Sequence, residues 1–83
     1  MPTQTFLNLP KNKQDIIIEA SLKEFKRVLL KDASINKIIK DANISRGSFY
    51  NYFHDIHDLY TYSLNNYKNE LFELFNEFEF YNI

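Results

Sequence analysis

The chain contains no cysteine, and this absence excludes disulfide bonds, thiol catalysis and zinc sites built from cysteine. It also has no tryptophan, and only one glycine and two prolines among its 83 residues. Hairpin turns usually need glycine or Asn-Gly, so a chain this poor in glycine is expected to fold from helices joined by short connections. The sequence therefore predicts an all-α protein, and its length allows one domain.

Long hydrophobic runs are absent too, and no apolar stretch approaches the length of a membrane span, so no membrane partner is expected. The N-terminal residues have neither the basic start nor the apolar centre of a signal peptide. These features favour a cytoplasmic location. No Ser/His/Asp set, P-loop or glycine-rich phosphate loop is present, so we expect no enzyme activity and no cofactor.

The two histidines, His54 and His57, lie beside Asp55 and Asp58. Such a group could ligate a metal, but metal-dependent phosphohydrolases need further histidines and aspartates elsewhere in the chain. Asp55 is moreover expected to cap a helix. We therefore predict no metal site.

The net charge of −1 conceals an uneven distribution along the chain. Residues 10–54 hold nine basic and five acidic residues, a net +4, whereas residues 55–83 hold one basic and six acidic residues. This asymmetry suggests a binding half and a non-binding half. Chance and solvated helix faces would give the same counts, so composition leaves this alternative open.

Apolar periodicity and capping residues divide the first half of the chain into elements. Residues 1–9 are predicted to be a polar arm with a few apolar anchors, namely Phe6, Leu7 and Leu9. A first helix is predicted from about Lys11 to about Leu30. Its apolar stripe steps by threes and fours through Ile18, Leu22, Phe25 and Leu29.

Two short helices are predicted next, joined by a tight turn. Ser34 and Ser45 are suitable N-caps, because a serine hydroxyl can accept a hydrogen bond from the free N–H groups of a first turn. Asn43 tolerates the left-handed conformation that ends many helices. The second helix is expected to end near Ala42 and the third near Phe53. This arrangement is a helix-turn-helix.

A fourth helix is predicted from its cap at Asp55 to about Phe78. It carries an unusual aromatic load, namely Tyr60, Tyr62, Tyr67, Phe72, Phe75, Phe78, Phe80 and Tyr81. A three-helix unit cannot bury so many rings. Another domain, another chain or a second copy is expected to cover them, or the end is frayed.

Residues 45–53 have the chemistry of a DNA recognition helix. Phe49 and Phe53 are four residues apart and form an apolar back. Arg46 can pair with guanine O6 and N7 or with a phosphate, and Asn51 can pair with adenine. Gly47 lets the backbone approach DNA closely. Hydroxyls that can bond phosphates come from Ser45, Ser48, Tyr50 and Tyr52. In the alternative interpretation Gly47 marks a turn and the tyrosines are half-buried spacers, and spacing alone does not separate the two.

The run from Ile17 to Leu59 resembles the N-terminal DNA-binding domain of the TetR family of bacterial transcriptional repressors. Residues 17–25 are similar to the first core helix of that family, and residues 34–45 are similar to its second helix and turn. Residues 46–53 are similar to its third helix, whose signature is Gly, Ser or Thr, an apolar residue and Tyr-x-x-Phe.

The resemblance implies a sequence-specific DNA-binding transcriptional regulator, a repressor, that reads the major groove of double-stranded DNA with residues 45–53. Residues that match the family's phosphate and base contacts are Ser34, Lys37, Ser45, Arg46, Gly47, Ser48, Tyr50, Asn51 and Tyr52. The family binds pseudo-palindromic operators as homodimers, and its C-terminal domain supplies the dimer interface and a small-molecule inducer pocket. On this basis residues 10–54 are the helix-turn-helix domain. Residues 55–83 are then the long first helix of a truncated C-terminal domain.

Three residues depart from the family pattern. Leu29 and Asn43 stand where the family usually has glycine, after the first helix and in the turn. Ile56 stands where a lysine that contacts phosphate commonly begins the fourth helix.

The alternative function is a helical protein–protein interaction module that uses the aromatic C-terminal helix, with the helix-turn-helix as scaffold. Phe72, Phe75, Phe78 and the acidic second half favour it. The coincidence of the positively charged half with residues 45–53 is against it.

Overall fold

The computed structural model describes residues 2–81, with side chains described for residues 2–76. Within this part the chain forms helices and no strand, which confirms the all-α prediction. The helices are α1 (Gln4–Leu7), α2 (Lys11–Arg27), α3 (Ile35–Ala42), α4 (Arg46–Tyr52) and α5 (Ile56–Tyr81), with a 3₁₀ turn at Leu30–Asp32. The predicted aromatic side chains of Phe78, Phe80 and Tyr81 lie outside the described residues. No helix between residues 2 and 81 is both long enough and apolar enough to cross a membrane.

The five helices share one hydrophobic core, because each of them contributes at least one buried apolar side chain. The buried apolar residues are Phe6, Ile17, Ile18, Ala20, Ile38, Ala42, Phe49, Phe53 and Leu59. Burying a side chain as large as Leu, Ile or Phe stabilises a fold by roughly 1.5–3 kcal/mol. The predicted burial of Phe49 and Phe53 is confirmed, since both have no exposed surface.

Helix α2 is shorter than the sequence predicts. It ends at Arg27, and Val28 is extended, with φ −142° and ψ 165°. Leu29, predicted to belong to the apolar stripe, is 68% exposed. The prediction is wrong at this end because the helix stops before Leu29 can turn toward the core. The 3₁₀ turn that follows redirects the chain into α3.

The N-terminal segment also differs from its prediction. Residues 1–9 are predicted to be a polar arm with a few apolar anchors, but Gln4–Leu7 form the short helix α1. Phe6, one of the expected anchors, is fully buried. The ring of Phe6 lies 4.8 Å from that of Phe53 and 5.6 Å from that of Tyr62, measured between centroids. The burial of Phe6 confirms it as an anchor, whereas the predicted anchor Leu7 is 45% exposed and the helix itself is not predicted.

The turn between α3 and α4 has the predicted geometry. Asn43 adopts the left-handed conformation, with φ 57° and ψ 46°. Its N–H donates to the carbonyl of Lys40 at 3.2 Å, and the N–H of Ile44 donates to the carbonyl of Ile39 at 3.0 Å. This pair of bonds is a Schellman motif, which usually has glycine at the left-handed position. Asparagine fills that position here because its short polar side chain tolerates it.

Helix α5 packs on α2 through its first half and is exposed further along. Asp55 begins it by accepting a hydrogen bond from the N–H of Asp58 at 2.8 Å, as predicted for a cap. Leu59 and Ser63 are fully buried. Apolar side chains in the second half are 48–64% exposed, namely Leu71, Phe72, Leu74 and Phe75.

Candidate nucleic-acid interface

Helix α4 has one face in the core and the opposite face open. Phe49 and Phe53 anchor the inner side and contact each other with ring centroids 6.2 Å apart. Gly47 and Asn51 are exposed and Ser48 is half-exposed, and helical spacing places these three residues together on the outer side. We call Gly47, Ser48 and Asn51 the outer face of α4. This confirms which side of the segment is buried.

The start of α4 is fixed by its predicted cap. The hydroxyl of Ser45 accepts from the N–H of Ser48 at 3.0 Å and donates to the Ser48 hydroxyl at 2.9 Å. These bonds hold Ser45 as a capping residue and leave the Ser48 hydroxyl free to donate its own proton outward. Both serines stand at a helix N-terminus, where the dipole favours an anion.

Gly47 is not required by the fold of the chain itself. A Cβ atom built at this position would lie 3.9 Å from the Ser45 hydroxyl, an ordinary van der Waals distance, and the backbone there is helical. Because glycine costs helix stability relative to alanine, its presence needs another reason. Close approach of the backbone by another molecule supplies one.

Arg46 is tied to the preceding helix by a contact that sequence patterns did not reveal. One of its terminal nitrogens donates to Oδ1 of Asn36, an exposed residue in the first turn of α3. Both residues are exposed, so the bond links α3 to α4 at the protein surface. A guanidinium has five N–H donors, so most of them stay available to a partner.

Asn51 and the two tyrosines of α4 have different surroundings. The side-chain amide of Asn51 makes no hydrogen bond with the described residues, so its donor and its acceptor are both open. Tyr50 is 48% exposed, with its ring 5.0 Å from that of Phe49. Tyr52 is half-buried, and its ring meets that of Phe6 at 5.9 Å, so it lies on the flank toward α1 and away from the outer face.

Ser34 and Lys37 lie together at the start of α3. The Ser34 hydroxyl accepts from the N–H of Lys37 at 3.2 Å, which confirms Ser34 as the cap of this helix. The Lys37 side chain is exposed and makes no ion pair with the described residues. Lys40 is one turn further on and is likewise exposed.

A buried carboxylate missed by the sequence analysis holds the same helix start in place. Glu24 is only 3% exposed, and its two oxygens accept from Nε and a terminal nitrogen of Arg27 at 2.8 and 2.9 Å. It also accepts from the backbone N–H of Ser34 at 2.7 Å. The Arg27 hydrogen bonds outweigh the opposing effect of burial and, with the Ser34 N–H and nearby positive charge, lower the pKa of Glu24 to about 2. The carboxylate therefore stays charged and links α2 to α3.

A small basic cleft runs beside this link. Its walls are formed by Lys23, Glu24, Arg27, Lys37, Lys40 and Asp41. Asp41 pairs with Lys23 at 3.5 Å and Glu24 pairs with Arg27, which leaves the charges of Lys37 and Lys40 without an acidic partner among the described residues. The excess positive charge thus lies beside Glu24, the residue that holds the backbone N–H of Ser34.

The described residues hold no group of three His, Asp or Glu side chains that could bind a metal. The aspartates beside the histidines are engaged at the start of α5. Asp55 caps the helix, and Asp58 accepts from the N–H of His54 at 3.0 Å.

Comparison with known proteins agrees with this architecture. A crystal structure of a TetR family transcriptional regulator from Chloroflexus aurantiacus J-10-FL is similar to this chain, with a TM-score of 0.70 and 47% sequence identity. The similarity covers 75% of this chain and 29% of that protein, so the chain spans less than a third of the relative's length. No curated protein matches the sequence. A family model described as "Bacterial regulatory proteins, tetR family" matches residues 17–62, more than half of the chain, and the chain therefore belongs to the tetR family of bacterial regulatory proteins.

Proposed function

We propose that the chain binds double-stranded DNA by inserting α4 into the major groove, as the DNA-binding part of a transcriptional regulator. The observation that carries this proposal is the outer face of α4, presented on the buried base of Phe49 and Phe53. The major groove of B-DNA is about 12 Å wide and admits a helix. Because Gly47 has no side chain, the backbone of α4 can approach the groove closely.

Base reading falls to Arg46 and Asn51. The open amide of Asn51 can pair with adenine N6 and N7 through its donor and acceptor together. Arg46 can pair with guanine O6 and N7 while Asn36 orients its guanidinium. A good bidentate pair contributes about 1–3 kcal/mol of discrimination against the wrong base.

Phosphate contacts fix the register of the helix on the duplex. They come from the start of α3 and from the hydroxyls of α4, and the residues we assign to them are Ser34, Lys37, Ser45, Ser48, Tyr50 and Tyr52. Among these, Tyr52 is the most restricted, because its ring is half-buried against α1. Its hydroxyl would reach a phosphate only at the edge of the interface.

The regulator is proposed to be a repressor that acts as a homodimer on a pseudo-palindromic operator. A C-terminal helical domain would supply the dimer interface and a small-molecule inducer site. Binding of this kind involves no catalysis and no cofactor. The protein–protein interaction module is not favoured, because the family match at residues 17–62 covers the helix-turn-helix and ends before the exposed side chains of Leu71–Phe75.

A selection followed by a binding measurement tests the proposal. The chain first selects duplexes from a randomised pool, and fluorescence anisotropy then compares a selected duplex with a scrambled duplex of the same composition. We expect tighter binding to the selected duplex, and for both duplexes affinity that falls steeply with salt, because bound phosphates release counterions. No enrichment, together with the absence of any salt-sensitive binding, would contradict the proposal and favour the interaction module.

A further inference from the structure

The N-terminal segment completes the end of the helix that we propose reads DNA. The last four carbonyls of an α-helix have no partner within the helix, and α4 is only seven residues long. Thr3 supplies two of the missing donors. Its hydroxyl donates to the carbonyl of Asn51 at 2.6 Å, and its N–H donates to the carbonyl of Tyr52 at 2.9 Å.

Thr3 is itself held by the short helix that follows it. Its hydroxyl oxygen accepts from the N–H of Phe6 at 3.3 Å, so the same atom caps α1 and bonds the end of α4. Phe6 fixes α1 in the core, against Phe53 directly after α4 and Tyr62 on α5. Gln14 of α2 secures the exit of the segment by donating to the carbonyls of Leu7 and Leu9 at 3.2 and 2.9 Å. We call residues 3–9 the N-terminal strap.

We propose that the strap is a positioning element for DNA reading, in which Thr3 holds the last turn of α4 and thereby orients Asn51. This inference rests on the proposed function. Thr3 does not need to touch DNA for this role, because it acts on the backbone of the two residues that end α4. A helix of seven residues with a glycine in its first turn is marginal by itself, so tethering its end reduces the number of orientations open to Asn51.

The test compares three variants of the full chain, each without an N-terminal tag. Thr3→Val keeps the shape and the backbone donor but removes the hydroxyl. Thr3→Ser keeps the hydroxyl. Thr5→Val is the matched control, because Thr5 is an exposed threonine of α1, the helix that Thr3 caps. Two quantities are measured for each: the ratio of affinities for the selected and scrambled duplexes, and the hydrogen-exchange rates of the free protein.

We expect Thr3→Val to lower the affinity ratio by about three- to tenfold, the effect of losing the hydrogen bond that its hydroxyl donates to the Asn51 carbonyl. The amide of Phe53, which donates to the carbonyl of Phe49, should exchange about fivefold faster, while the amide of Ile38 in α3 keeps its rate. Thr3→Ser should remain within about twofold of the unmodified chain in both measurements. Thr5→Val should change neither.

An unchanged affinity ratio in Thr3→Val, or an equal loss in Thr5→Val, would overturn the inference. So would faster exchange throughout the protein, because that result would mean a general loss of stability. If the unmodified chain fails to distinguish the two duplexes, the proposed function is wrong. The exchange of the Phe53 amide then decides by itself whether Thr3 holds α4.

Discussion

Gly47 is the residue whose proposed role in binding is easiest to separate from its role in the fold. A methyl group at this position meets nothing closer than 3.9 Å within the protein. The conformation of α4 is right-handed there, so the left-handed freedom of glycine is not used. What the missing side chain provides is room on the outer face.

Gly47→Ala should therefore change stability and binding in opposite directions. The free energy of unfolding should rise by up to about 1 kcal/mol, because alanine favours a helix over glycine. Affinity for a selected duplex should fall about tenfold or more, since the methyl group separates α4 from the base edges. Thermal unfolding and fluorescence anisotropy on the same preparation measure both effects. Equal or tighter binding by the variant would contradict the role assigned to this glycine.

The two fully buried serines should respond oppositely to the same substitution. The hydroxyl of Ser21 donates to the carbonyl of Ile17 at 2.7 Å, whereas that of Ser63 has no partner among the described residues. A buried polar group without a hydrogen bond costs about 1–3 kcal/mol. Ser63→Ala should raise the free energy of unfolding by about 1 kcal/mol, and Ser21→Ala should lower it by a similar amount. Denaturant unfolding of the two variants checks the pair, and a loss of stability in Ser63→Ala would indicate a partner for that hydroxyl.

Helix boundaries could be predicted accurately where the sequence has strong capping residues. Ser34, Asn43 and Ser45 delimit α3 and α4, and the structure uses all three as predicted. The end of α2 has no such signal, because Val28 and Leu29 continue the apolar pattern after the helix has stopped. Helix α1 could not be predicted because it has too little pattern. Its four residues are too few to show a period, and the structure holds them by the Thr3 cap and the packing of Phe6.

The junction of α2 and α3 depends on Glu24, and its charge should make this junction sensitive to acid. The pKa of Glu24 in the folded protein, about 2, lies below its ordinary value of 4.5. The unfolded chain therefore binds more protons than the folded one between these values. Its contribution to stability is present above about pH 4.5 and is lost as the pH falls toward 2.

Glu24→Gln should destabilise the fold by about 1–2 kcal/mol at neutral pH, because a charged acceptor of three hydrogen bonds becomes a neutral one. The loss of stability between pH 4.5 and 2 should also become shallower in this variant. Glu19→Gln is the matched control, since Glu19 is exposed on the same helix. Denaturant unfolding across this pH range gives both values. A pH profile identical to that of the control would show that the Arg27 pair does not hold Glu24 ionised.

Across the whole molecule, charge separates the helix-turn-helix from the second half of α5. Residues 10–54 carry a net +4, and within them the unpaired charges of Lys37 and Lys40 line one cleft at α3. Such an arrangement favours a polyanion at one end of the protein in spite of the net charge of −1. In our proposal, the surface at Lys37 and Lys40 is therefore part of the binding half that composition predicts.

Lys37→Ala should weaken binding to selected and scrambled duplexes by the same factor. A phosphate contact carries no sequence information, so the affinity ratio should not change, but the slope of log affinity against log salt should fall by about one. Lys68→Ala is the control, because Lys68 is an exposed lysine of the acidic half. Titrations at several salt concentrations provide the slopes. A changed affinity ratio with an unchanged salt slope would contradict the phosphate contact and indicate that Lys37 reads a base.

The residues of the candidate interface could be predicted from the sequence, but the contacts that hold them in place could not. The polar residues of α4 and the cap of α3 follow from local patterns and from the family resemblance. Asn36, Glu24 and Thr3 do not, because each acts on a residue ten or more positions away. Such contacts depend on how the helices pack, and no single stretch of sequence contains them.

The measurement that tests the central claim most directly is the affinity of Asn51→Ala for the selected and the scrambled duplex. If the outer face of α4 reads base edges, this variant should lose about 1–3 kcal/mol on the selected duplex and almost nothing on the scrambled one. Asn65→Ala, at an exposed asparagine of α5, should match the unmodified chain on both. An equal loss by Asn51→Ala on the two duplexes, or no loss on either, would contradict base reading by α4.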